Sequence, residues 1–266
     1  MLQPRIIPFL LIHKGGLVKT VGFGEPKYVG DPLNAVRIFN EKHVDELMIM
    51  DIDASQKGIE PDYAMISKLA NECRMPICYG GGVKTVEHFI KIISLGVEKV
   101  SVCSEAVENP EIISRAAEIV GCQSVVAVID VKRTGFLKKP EVVSLNGTKR
   151  SGIDPVSWSK KLQELGVGEI VVNSVDRDGQ MNGYDFDLID PIREAVTTPL
   201  TILGGAGSLE DVRILFRKYG IIGAAAGSIF VFKGKYRAVL INYPSAAEKE
   251  QLFDLSHKFE TNSTVS

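Results

Sequence analysis

The chain has 266 residues, 45% of them hydrophobic and 24% charged, with a formal net charge of −2. This is ordinary globular composition, long enough to bury a core in one large domain or two small ones. Balanced charge without runs of one sign leaves no electrostatic footprint for nucleic acid or an anionic membrane.

Arg5 to Leu11 reads as a first strand. The apolar run from Ile6 to Ile12 is interrupted by Pro8, is too short to span a bilayer, and lacks the cleavage site of a signal peptide. A long glycine-containing loop then leads to Asp31-Pro32, a cap and first-turn proline that start a helix to about Lys42. Glu46 to Asp51 is a short apolar run ending in acid, and Asp62 to Arg74 has helical period. Next come a strand from Pro76 to Tyr79, a turn at Gly80-Gly81-Gly82, a helix from Val86 to Leu95 and a strand from Lys99 to Val102. Pro110 to Val120 reads as helix, and Ser124 to Asp130 as a β-branched strand ending in acid. Residues 131–150 look like a hairpin excursion, with turns at Gly135 and Asn146-Gly147. Helix Pro155 to Leu165, strand Glu169 to Ser174, an acidic loop Asp176-Arg177-Asp178-Gly179 and helix Phe186 to Val196 follow. Strand Pro199 to Leu203, the turn Gly204-Gly205-Ala206-Gly207-Ser208, helix Leu209 to Lys218 and the run Gly223 to Ala226 complete eight units. Residues 1–245 are read as one domain and 246–266 as a charged, then polar tail that frays at its end.

Eight short apolar runs, each joined to a helix, fit a parallel sheet buried on both faces. A doubly wound sheet satisfies the pattern, but the unit count and the closeness to ~250 residues favour a (β/α)8 TIM barrel. The chain also resembles itself at a shift of roughly 120 residues: Gly81-Gly82 fall on Gly204-Gly205, Ser104 on Ser228, and Asp51 and Asp53 on Asp176 and Asp178. Two similar half-barrels would place two related anion sites across one mouth.

Catalytic groups of this fold stand at the C-terminal ends of strands. Asp51, Asp130, Asp176 and Asp178 end apolar runs there, where a partly desolvated carboxylate suits acid–base work. The competing reading for any one of them is a cap on the next helix or turn. Gly81, Gly82, Gly204, Gly205 and Gly207 sit between strand and helix, with Ser104 and Gly227-Ser228 after the following strands. Together they form two cradles suited to a ligand with two phosphates, although a lone Gly-Gly is a plain turn. Lys19, in the first loop, either closes over a bound anion or is simply solvated. Cys103 has no strand-end histidine to activate it, His13 being the nearest, and is read as a packing residue. No metal-ligand spacing and no C-x-x-C pair occur, so no metal, no cofactor and a reduced, cytoplasmic setting are expected. The internal repeat sets Leu11 opposite Asp130, so a reaction needing one carboxylate from each half lacks a partner.

Over about residues 3–243 the chain resembles the cyclase subunit of imidazole glycerol phosphate synthase. The resemblance rests on Arg5-Ile6-Ile7-Pro8, Asp45-Glu46-Leu47, Asp51-Ile52, Ala54-Ser55, Gly80-Gly81-Gly82, Glu98-Lys99-Val100-Ser101 and Ile129-Asp130. It continues through Gly168-Glu169-Ile170, Ser174, Asp176-Arg177-Asp178-Gly179, Gly183-Tyr184-Asp185 and Gly204-Gly205-Ala206-Gly207. It implies a (β/α)8 barrel of histidine biosynthesis with a glutaminase docked on its N-terminal face. Ammonia from that partner crosses the barrel to a bisphosphorylated ribulosyl–carboxamide, which two aspartates cyclise and cleave. Arg5, Glu46, Lys99 and Glu169 match the ring of charges that gates the ammonia, and Lys19, Asp51, Ser174, Asp176 and Asp178 become expected substrate contacts.

At the chemical end the chain departs from the family. The first catalytic aspartate corresponds to Leu11, leaving Asp130; an Asn is Cys103, a Thr is Asn173, and a Ser is Leu203. This pattern is similar to the branch found with surface-polysaccharide genes, as are Glu25 to Gly30 and Phe230 to Val239. There, barrel and glutaminase are thought to supply ammonia to a third enzyme, an amidotransferase that builds an amidine on a sugar. The leading expectation is an ammonia-delivering barrel with those two partners; a true cyclase with another acid, and a barrel that only holds a bisphosphate, stand beside it.

Overall fold

The structure, a computed structural model, describes residues 3–234 and 236–253. Eight parallel strands carry it: β1 (Arg5–His13), β2 (Leu47–Asp51), β3 (Ile77–Gly80), β4 (Lys99–Val102), β5 (Val125–Thr134), β6 (Glu169–Ser174), β7 (Leu200–Leu203) and β8 (Gly223–Ala226). Each pairs with the next, and the sheet closes when β8 meets β1 in the register Arg5–Gly223 to Pro8–Ala226. The fold is the expected (β/α)8 barrel. Its strands are largely apolar and buried on both faces because helices cover one side and the lumen lies on the other.

The main helices are α1 (Pro32–Glu41), α2 (Tyr63–Glu72), α3 (Val86–Ser94), α4 (Ile112–Val120), α5 (Pro155–Glu164), α6 (Phe186–Ala195) and α7 (Leu209–Tyr219). Asp31, Asp62, Thr85, Asp154 and Ser208 cap five of them by accepting a backbone N–H of the first turn, which fixes where each loop becomes helix. The helices bury residues such as Phe39, Phe89, Leu162 and Leu215 against the outside of the sheet. Alternate strand residues point the other way, so Ile7, Phe9, Leu11, Met48, Val126, Val171 and Leu203 fill the lumen.

Three segments differ from the sequence reading. The first loop is a hairpin: β1 runs on to His13, and Lys14-Gly15, at φ +50 and +77, turn it into antiparallel strands at 16–19 and 27–30. Positive φ at both central residues is the I′ geometry, which Lys-Gly disguises better than Asn-Gly would. The expected excursion is present, but β5 extends to Thr134 before the returning strand Lys139–Ser144. The expected tail begins as a helix, α8 (Ala246–Phe253), with Leu252 buried and Phe253 5.8 Å from the Phe216 ring. The end of that helix therefore packs on α7 through Phe253, and 254–266 lie outside the described residues. Just before α8, the Tyr243 hydroxyl donates to the Ile6 carbonyl at 2.8 Å and accepts the Asp45 N–H at 3.2 Å.

Candidate functional site

At the N-terminal end of the barrel, strand-start residues facing inward form a closed ring. Arg5 bonds Glu46 through one guanidinium nitrogen and Glu169 through the other, the latter at 2.8 Å. Lys99 completes the circuit, 2.8 Å from both Glu46 and Glu169. Both glutamates are buried, and Thr201 donates to Glu169 at 2.5 Å. Burial pushes the Glu169 carboxyl up, but Arg5 and Lys99 outweigh it and hold it below the usual carboxylate range. The same two glutamates raise Lys99 against its own burial. Two cations and two anions alternate, so no buried charge is left alone.

At the opposite end lies a cavity of about 260 Å³, reached by Asp51, Gly81, Cys103, Ser104, Asp130 and Asn173. Asp130 ends the inward row of β5; Asn173 Nδ2 donates to it at 2.8 Å and the Cys103 thiol at 3.5 Å. Burial raises its carboxyl to about 6, within reach of proton transfer near neutrality. Burial beside Asp130 also pushes the Cys103 thiol up, which suits a packing residue and not a nucleophile. Asp51 accepts the N–H groups of Asp53 at 2.8 Å and Ala54 at 3.2 Å, as its capping reading has it, and also lines the cavity. Burial raises its carboxyl too.

The two glycine turns are used differently. Gly81, at φ +115, allows the chain to pass the Asp51 carbonyl oxygen, where a Cβ would collide. The Gly82 N–H donates to Ser55 Oγ at 3.2 Å, and Ser104 Oγ accepts the Leu145 N–H at 3.0 Å from the hairpin excursion. In the second half, Lys19, Asp178, Gly204, Gly205, Gly227 and Ser228 surround a space of about 10 Å³, roughly one water. Lys19 is buried there, with Nζ 3.6 Å from Asp178, so the solvated reading of that lysine is overturned. The remaining expected contacts lie elsewhere. Gly207 faces a separate groove and gives its N–H to Asp211 at 2.9 Å. Asp176 is exposed and accepts the Arg133 N–H at 2.7 Å, while Ser174 is buried and bonds Asp185 at 3.3 Å.

One polar pair escaped the sequence reading. His13, the last residue of β1, lies 2.7 Å through Nδ1 from Asp53 Oδ1, and both line the cavity. Burial lifts the Asp53 carboxyl, but the Lys14 N–H, Lys57 and His13 together carry it below its usual range. Leu11 and Leu203 are buried in the apolar lumen. No helix among the described residues is long and apolar enough to cross a membrane.

The sequence pattern of the family described as "Histidine biosynthesis protein" matches residues 5–237. A protein of Vibrio vulnificus (strain YJ016), provisionally named imidazole glycerol phosphate synthase subunit hisF3, is 55% identical over 255 residues, 96% of this chain and 98% of that protein. A Leptospira interrogans protein, provisionally named imidazole glycerol phosphate synthase subunit HisF, is 55% identical over 253 residues, 95% of this chain and all of that protein. The imidazole glycerol phosphate synthase subunit HisF of Lactococcus lactis subsp. cremoris (strain MG1363) is 39% identical over 230 residues, 86% of this chain and 89% of its own length.

Proposed function

The chain belongs to the histidine biosynthesis protein family, and on that premise we propose that it is the ammonia-receiving barrel of a glutamine amidotransferase complex in the cytoplasm. A glutaminase docks on the N-terminal face, the ring of Arg5, Glu46, Lys99 and Glu169 admits ammonia, and the lumen carries it to the cavity at Asp130. The observation that carries this reading is the closed four-residue ring, placed on the barrel axis with the cavity at the other end. Such a ring costs desolvation that a simple apolar plug would avoid. Residues 1–245 act as one barrel domain in this reading. The ammonia then serves a third, sugar-modifying amidotransferase making an amidine for surface polysaccharide. What supports this acceptor is Leu11, a side chain that moves no proton, buried among Phe9 and Val18 where the family resemblance implies a first acid.

In the reconstituted complex, Lys99→Ala should impair glutamine-driven product formation more than formation driven by added ammonium. Equal loss under both conditions would remove the gate.

A second reading keeps the cyclase reaction, supported by Asp130 and its raised pKa. Anion contacts would then come from Gly81, Gly82 and Ser104 on one side and Lys19, Gly204, Gly205, Gly227 and Ser228 on the other. Turnover of the histidine-pathway bisphosphate with saturating ammonium, native chain against Leu11→Asp, decides between them: native turnover favours the cyclase, and recovery only in the variant favours delivery.

A further inference from the structure

Phe9, Leu11 and His13 alternate along β1, and all three line the cavity. His13 therefore stands in the same inward row as Leu11, one step nearer the mouth. Round the closed sheet β1 and β5 are four strands apart in either direction, so His13 and Asp130 reach one cavity from opposite sides. Asp53 holds the imidazole in one orientation. Its Oδ2 accepts the Lys14 N–H at 2.9 Å and Lys57 Nζ at 3.0 Å, which leaves Oδ1 for His13 Nδ1 at 2.7 Å. With Asp53 ionised, a neutral His13 carries its proton on Nδ1, and the Nε2 lone pair has no partner among the described residues. Backbone pairing from Leu11–Val18 to His13–Gly16 already closes the first hairpin without the ring. The charged groups around His13 are Asp51 and Asp53 at the end of β2, Lys57 on the short helix that follows, and Glu105 and Asp130 further round the wall.

We propose that His13 is a catalytic base and acid of this cavity, oriented by Asp53 as its positioning residue, and that it works with Asp130 in place of the carboxylate that Leu11 does not supply. The inference rests on the second reading above, in which the cavity itself joins ammonia to a carbonyl group. As the C–N bond forms, one N–H proton passes to His13 Nε2, and protonated Asp130 gives its proton to the carbonyl oxygen. Loss of water exchanges the roles. His13 then protonates the departing hydroxyl, the C–O bond breaks, and Asp130 takes the second nitrogen proton as C=N forms. One water leaves, and both side chains end as they began. An imidazole and a carboxyl on opposite walls divide these tasks, whereas one carboxyl alone would have to serve both ends of the new bond.

The test uses the isolated chain with saturating ammonium and the histidine-pathway bisphosphate. His13→Gln should lower kcat by about 100-fold or more with KM nearly unchanged, and Asp53→Asn, which frees the ring, should lower it in the same direction. The native rate should fall on both sides of an optimum, in acid as His13 takes a proton and above about 6 as Asp130 loses one. The residual rate of His13→Gln should lack the acid limb. His13→Ala should regain turnover with added imidazole and not with potassium chloride, which a merely structural role would not produce. Ring ¹⁵N signals of His13 in the native chain check the orientation without any turnover or variant: a protonated Nδ1 and a bare Nε2 are expected, and the opposite tautomer would overturn the proposal. Native turnover that survives His13→Gln would also overturn it and leave the cyclase reading standing. Absence of native turnover would remove the cyclase reading, and this inference with it.

Discussion

Replacing Lys99 by Met tests whether the charge ring works as a closed unit. Lys99 touches both glutamates at 2.8 Å, and Glu46 and Glu169 are only 3% and 5% exposed. Removing one partner from a buried pair costs about 3–5 kcal/mol, because a charge is left uncompensated. Arg5 still reaches both glutamates and the Lys99 side chain is 20% exposed, so the lower end applies, about 3 kcal/mol. At about 2–4 °C per kcal/mol for a domain of this size, the melting temperature should fall by roughly 6–12 °C. The pH dependence has a definite sign. Arg5 and Lys99 hold the Glu169 carboxyl below its unfolded value of about 4.3, so its pairs stabilise above that value and the contribution is lost as pH falls through the depressed folded value. In the variant this depression shrinks and Glu169 protonates sooner. The gap between native and variant is therefore widest at neutral pH and narrows in acid. Urea titrations at pH 7 and pH 3.5 measure both quantities. A gap below about 1 kcal/mol at pH 7, or one that widens in acid, would refute the ring as a mutually satisfied unit.

Asp130→Asn should stabilise the chain. The native carboxyl titrates near 6, about two units above the unfolded value, so its ionisation costs about 2–3 kcal/mol at pH 8 and nothing below about pH 4. Urea midpoints at the two pH values check this, and equal midpoints at pH 8 would deny the burial that places Asp130 in a catalytic range. Ending the chain after Ser245 should cost about 2–4 kcal/mol, since Leu252 and its neighbour Phe253 leave Phe216 uncovered. An unchanged melting temperature would return 246–253 to the standing of a tail.

Most strands were legible as apolar runs bounded by Pro, Gly or acid, because lumen and helix layers both select apolar residues. One helix start was legible from Asp31-Pro32, and Asp154 and Ser208 cap theirs in the same way, each acting within three residues. The first hairpin was hidden, because Leu17 and Val18 offer too little alternation and Lys14 gives no sign of a left-handed turn. Local pattern cannot report burial that comes from distant partners. Lys19 is buried by Asp178 and the last glycine turn, and His13 gains its role from Asp53 on another strand end. The charge ring was found only through family resemblance: in isolation Arg5, Glu46, Lys99 and Glu169 are solvated strand starts. Asp176 and Ser174 show that a polar residue at a strand end also serves its neighbours, here Arg133 and Asp185, which no local pattern announces.

The seam at which β8 meets β1, with Tyr243 fastened to Ile6, has a consequence for biosynthesis. β1 is made before the other seven barrel strands, and its partner Gly223–Ala226 is the last of the eight. At about 5–20 residues per second, β1 waits on the order of 10–40 s with one side unpaired. Throughout that interval Ile7 and Phe9 face an unfinished lumen, beside a strand edge open to any other chain. The finished barrel has no such edge on β1; the nascent one carries it until its final strand emerges.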